Sequence, residues 1–135
     1  MSDIDELIEE GDTLGSQGKY EEALDCFNKV LVIDPDNADA LDYKGRALHS
    51  QGKYEEALDY LNKSLEIYPK MSITLYFKGC ALYYLDENEK ALDCFNKALE
   101  IEPGYADALD YKGCALYYLD KYEEALDCLN KVLEI

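Results

Sequence analysis

Positive charge is scarce in this chain beside negative charge. Thirteen lysines and arginines stand against thirty aspartates and glutamates, a net charge of −17. Phosphate backbones and anionic lipid surfaces are repelled by such a surface, so neither nucleic acid nor membrane is expected as a direct partner. Apolar runs stop well short of the ~18 residues of a membrane helix. The N-terminal stretch Met1-Ser2-Asp3-Ile4-Asp5-Glu6 is acidic and lacks the basic and apolar regions of a signal peptide, and the expected location is the cytoplasm. Histidine occurs once, at His49, and there is no Cys-x-x-Cys pair, no Cys/His cluster and no glycine-rich phosphate loop. The expectation is therefore no metal, no cofactor and no catalytic residue, and not an enzyme.

Proline is also scarce, and its three residues carry the most information in the chain. Pro35, Pro69 and Pro103 lie 34 residues apart, and so do Gly11, Gly45, Gly79 and Gly113, Ala23, Ala57, Ala91 and Ala125, and Leu7, Leu41, Leu75 and Leu109. A fixed period of this kind is the mark of a repeat array in which each unit packs on its neighbours. The cysteines keep the same period: Cys80 and Cys114 correspond, as do Cys94 and Cys128, with Cys26 the fifth. Residues that recur in this way read as packing thiols in a reducing compartment.

Each unit reads as two helices and a short turn. In the second copy the first helix is expected over about Ala40 to Gln51, with Leu41, Ala47 and Leu48 on one stripe. Gly45 costs helix propensity inside it, so close contact with another helix is the expected reason for it. Gly52-Lys53 breaks the pattern. A second amphipathic helix then starts at Tyr54, with Ala57, Leu58, Leu61, Ser64 and Leu65 on one face, glutamates in its first turn and Pro69 beyond its end.

These residues resemble the tetratricopeptide repeat, whose 34-residue helix-turn-helix unit carries a glycine in the first helix, an alanine in the second and a closing proline. Gly45, Ala57, Pro69 and their counterparts fill those places, and the resemblance covers Ile4 to Ile135. It departs from the family where a bulky aromatic of the first helix is Leu7, Leu41, Leu75 or Leu109, and where a leucine before the glycine is Glu10, Lys44, Lys78 or Lys112. The lysine stems are expected to lie along the packed surface. The implied fold is all-α, a right-handed α-α superhelix, or solenoid, of four repeats. It forms a single domain over 1–135, with repeats at about 4–37, 38–71, 72–105 and 106–135, the last truncated and without a capping helix.

The resemblance places function on a concave surface lined by the first helices. The expected lining is Asp39, Asp42, Tyr43 and Arg46 in the second repeat, Tyr76, Phe77, Tyr83 and Tyr84 in the third, and Asp107, Asp110, Tyr111, Tyr117 and Tyr118 in the fourth. Such an acidic, tyrosine-lined groove suits a non-catalytic adaptor for an extended or helical peptide with basic and apolar side chains. For Tyr83, Tyr84, Tyr117 and Tyr118, binding surface and plain repeat packing both stay open, while Tyr20, Tyr54 and Tyr122 at the start of the second helix read as packing. His49 reads as incidental to this face. Some family members clamp the terminal carboxylate of chaperone tails with lysine, asparagine and arginine. The matching places here hold Ile8, Asp12, Tyr43, Ile73 and Phe77, or Asp42, Arg46, Phe77, Asp107 and Tyr111, so acidic tails are expected to be repelled.

A second function stays open beside the first. The fourth copy stops before its closing proline, and terminal repeats need a solvating cap. Leu129, Val132 and Leu133 are therefore expected to meet another chain, by dimerisation or end-to-end stacking into a self-assembling scaffold, unless the chain is cut from a longer array. The first repeat holds −9 of the charge, and a basic partner could be steered to it. The second and fourth copies differ at only seven of 30 positions, Ala38 to Ile67 against Ala106 to Ile135, a mark of recent duplication or consensus-guided design.

Overall fold

The computed structural model describes residues 2–135, and they form eight α-helices with no strand. Their order is α1 (Asp3–Ser16), α2 (Tyr20–Ile33), α3 (Ala38–Ser50), α4 (Tyr54–Ile67), α5 (Ser72–Tyr84), α6 (Asn88–Ile101), α7 (Ala106–Tyr118) and α8 (Tyr122–Glu134). Each 34-residue copy is thus one helical hairpin. The chain falls into two compact units, α1 to α4 up to Pro69 and α5 to α8 from Lys70. Within each unit consecutive helices pack on one another, and the two first helices, α1 with α3 and α5 with α7, also touch. No helix among the described residues is long and apolar enough to cross a membrane.

The second copy's first helix begins at Ala38, two residues before the expected Ala40. Asn37 accounts for the difference: its Oδ1 accepts from the Ala40 N–H at 2.9 Å and satisfies a donor that the first turn leaves open. Ser2 caps α1 in the same way, through Asp5 N–H at 3.2 Å.

The glycines of the first helices stand where the second helix comes closest. A Cβ on Gly45 would lie 2.7 Å from Leu61 Cγ, and one on Gly79 would lie 2.6 Å from Phe95 Cε1. Leu61, Phe27 and Phe95 fill the space the missing side chains leave, and all three are buried. Close contact is therefore why the sequence tolerates these helix-weakening residues. At Gly113 the nearest neighbours, Ala125 O and Cys128 Cβ, stand 3.5 Å away.

The turns inside the hairpins follow a second pattern. Gly18 and Gly52 sit at φ of 78° and 79°, and in the last two repeats Asp86 and Asp120 hold the same left-handed place at 62° and 61°. Aspartate tolerates this region better than most side chains. Cys26, Cys80, Cys94 and Cys128 are buried and Cys114 half-buried, all as free thiols, which agrees with their reading as packing residues. Lys44 lies half-buried with its Nζ 4.1 Å above the Tyr60 ring.

Candidate functional site

The expected site residues divide between the two units, and the units treat them differently. In the first, Asp39 is exposed, but Asp42 is only 2% exposed. Its Oδ2 stands 3.6 Å from Arg46 Nη1, one turn along α3. The Arg46 guanidinium lies 4.8 Å over the Tyr43 ring, which itself stacks on Phe27 at 5.5 Å. Burial, with Asp12 close by, raises the Tyr43 pKa. This corrects the sequence expectation for Asp42: its carboxylate is part of a packed Asp42–Arg46–Tyr43 group and does not stand open as an acidic surface.

In the second unit the aromatic residues converge. Tyr76 on α5 meets Tyr105, Tyr111 and Phe77 with ring centroids 5.1, 5.9 and 5.1 Å apart. Tyr83 meets Tyr84, Tyr111 and Tyr118 at 5.3, 5.6 and 5.9 Å. The Tyr84 and Tyr111 hydroxyls share a hydrogen bond of 2.8 Å. Tyrosines of α5 and α7 become neighbours because the two first helices touch.

The cluster grades from packed to open. Tyr76 is half-buried, with the buried Cys80 thiol beside it. Burial raises the Tyr76 phenol and pushes the Cys80 thiol up to about 12. Burial also pushes Tyr83 up to about 12, whereas Tyr111 is raised first by its bond to Tyr84 and then by burial. Toward solvent, Tyr84 is 46% and Tyr118 63% exposed, and Tyr117 stands beside Tyr118 at 5.4 Å. Asp107 and Asp110 of α7 are exposed and add the negative charge. These groups can offer aromatic faces, phenolic hydroxyls and carboxylates to a ligand. Among the described residues no group of three His, Cys, Asp or Glu is placed to hold a metal ion.

Three further residues lie at this cluster that the sequence reading did not single out. Tyr105, which precedes α7 and gives it no side-chain cap, stacks on Tyr76. Asp86 and Asn88 line a recess of about 300 Å³ with Tyr83, Tyr84 and Tyr118. The signal for Asn88 was in the sequence: it interrupts the column Tyr20, Tyr54, Tyr122.

On α8, Leu129 is 46% and Leu133 84% exposed, Leu126 is exposed with them, and Val132 is half-buried. The corresponding Leu92 of α6 packs against Leu116, Ala125 and Cys128.

Comparisons with known proteins agree with this architecture. Models of the tetratricopeptide repeat match residues 8–72, 72–105 and 106–135. No curated protein sequence matches the chain. Among solved structures, MamA 41-end from Desulfovibrio magneticus RS-1 superimposes with a TM-score of 0.88 at 26% identity, covering 97% of this chain and 74% of that one. A tetratricopeptide repeat protein from Parabacteroides merdae gives 0.82 at 27% identity, over 98% of this chain and 53% of the other. The first TPR of Spaghetti (RPAP3) bound to the HSP90 peptide SRMEEVD gives 0.83 at 26% identity, over 87% and 93%. Repeats of this kind are generally non-catalytic modules for protein–protein interaction. With four helical hairpins of one period and family models matching from residue 8 to the last, the chain belongs to the tetratricopeptide repeat family.

Proposed function

We propose that this chain is a peptide-binding adaptor that takes an extended or helical segment with basic and apolar side chains on the first-helix face of its second unit. The observation that carries this reading is the tyrosine cluster of α5 and α7, half-buried at Tyr76 and open at Tyr84 and Tyr118, with Asp107 and Asp110 exposed on α7. Stiff aromatic surface with polar tips anchors apolar side chains and cations at little entropic cost, and the carboxylates select for positive charge. The RPAP3 structure supports a peptide as ligand, but its peptide SRMEEVD carries two glutamates and ends in aspartate. The chain's net charge of −17 opposes such a ligand.

Calorimetry with a panel of basic-apolar peptides, with SRMEEVD as the acidic member, tests the reading. Basic peptides should bind and lose at least roughly tenfold in affinity to the double variant Asp107→Lys/Asp110→Lys. Equal binding of SRMEEVD, or indifference to the double variant, would overturn it. Asp42 is unsuited to the same test because its burial would confound folding with binding.

The exposed leucines of α8 favour a second reading, self-association. Leu126, Leu129 and Leu133 are spaced three and four apart on one stripe. Light scattering over a wide concentration range should then show an oligomer that Leu129→Lys dissociates. A monomer at all concentrations removes this reading.

A further inference from the structure

One place in the repeat is filled by a ring in two copies and empty in a third. In the second repeat Tyr54 packs on His49 with centroids 5.2 Å apart and planes at 59°. In the fourth, Tyr122 packs on Tyr117 at 5.5 Å and 61°, and its hydroxyl donates to Asp120 Oδ1 at 2.8 Å. The third repeat keeps the inner ring, Tyr83, and the left-handed aspartate, Asp86, but has Asn88 where the outer tyrosine belongs. The missing phenol leaves the recess of about 300 Å³ lined by Tyr83, Tyr84, Asp86, Asn88 and Tyr118. Beside it, Asn88 Oδ1 is withdrawn from solvent and has no hydrogen-bond partner.

We infer that this recess is a binding site for a guanidinium group, the arginine side chain of a bound peptide. The fourth repeat shows the chemistry that fills such a place: a flat group set at a steep angle to the ring at the end of the first helix, with a donor at its tip for the aspartate carboxylate. Guanidinium is flat, donates in its own plane and stacks on aromatic faces, and unlike a phenol it carries the charge that the surroundings favour. Glu87 and Glu89 flank Asn88, and the nearby Lys90 pairs with Glu87 at 3.3 Å rather than with Asp86. The chain already makes the same contact within itself, where Arg46 lies over Tyr43. This assignment rests on the groove reading and deepens it by naming the side chain that the groove selects.

The test titrates the full chain with Nα-acetyl-L-arginine N-methylamide at millimolar concentration and follows tyrosine ring resonances by NMR. Saturable shifts are expected at Tyr83, Tyr84 and Tyr118, roughly tenfold weaker with the neutral citrulline analogue. They should be absent in Asn88→Tyr, which restores the residue of the other three repeats and so keeps the fold. Absence of shifts, equal response to citrulline, tighter binding of the acetyl-tyrosine analogue, or undiminished binding by Asn88→Tyr would each overturn the assignment. The two readings fail separately. Peptide binding that depends on Asp107 and Asp110 without recess shifts leaves the groove and removes the recess, whereas recess shifts without peptide binding do the reverse.

Discussion

Gly79 and Gly15 show how one residue type serves opposite ends in the same fold. A methyl at Gly79 meets the buried Phe95 ring at 2.6 Å, whereas one at Gly15 in α1 meets nothing within 4 Å. Gly79→Ala should therefore cost about 1–3 kcal/mol, as overpacking does. Gly15→Ala should stabilise by up to about 1 kcal/mol through helix propensity. Denaturant titration of the two variants checks both signs. The periodic glycines were legible in the sequence because a helix breaker kept at one register position needs a packing reason. Asp42 was not legible: an aspartate on a first helix looks like surface charge until Arg46, one turn along, is seen to accompany it into the packed group. Asn88 was written in the chain as an interruption of a tyrosine column, but only the geometry of the Tyr117–Tyr122 pair gives the interruption a meaning.

At the scale of the element, the first helices differ in how they begin. Asn37 closes the start of α3 with a side-chain bond, and at the corresponding places Met71 and Tyr105 make none. Tyr105 instead stacks on Tyr76, so the fourth repeat exchanges a cap for an aromatic contact. Asn37→Ala should lower stability by about 1 kcal/mol, read as a reduced denaturant midpoint with an unchanged slope. The existence and type of all eight helices followed from periodicity. The early start of α3 did not, because apolar spacing reports the buried face and the cap lies outside it.

At the scale of the whole molecule, the most strongly shifted ionisations lie in the second unit. Tyr83 moves from an ordinary 10.0 to about 12 and Cys80 from 9.0 to about 12, with Tyr76 and Tyr111 raised as well. A raised folded value means that the neutral form is favoured by folding. The associated stability is complete below the ordinary values and is lost as pH rises through the folded ones. Stability should hold to about pH 9 and fall between there and pH 12. Tyrosinate absorbance should show a late-titrating fraction that moves to the ordinary range in denaturant, and a single ordinary transition in the native protein would refute the assignment.

The column Tyr20, Tyr54, Asn88, Tyr122 also has a genetic side. Tyrosine and asparagine codons differ only in their first base, so one point mutation separates a closed hairpin mouth from an open one. The third repeat stands a single nucleotide from losing its recess. In an array whose copies are otherwise so alike, ligand preference can change by such steps without disturbing the helices that carry it.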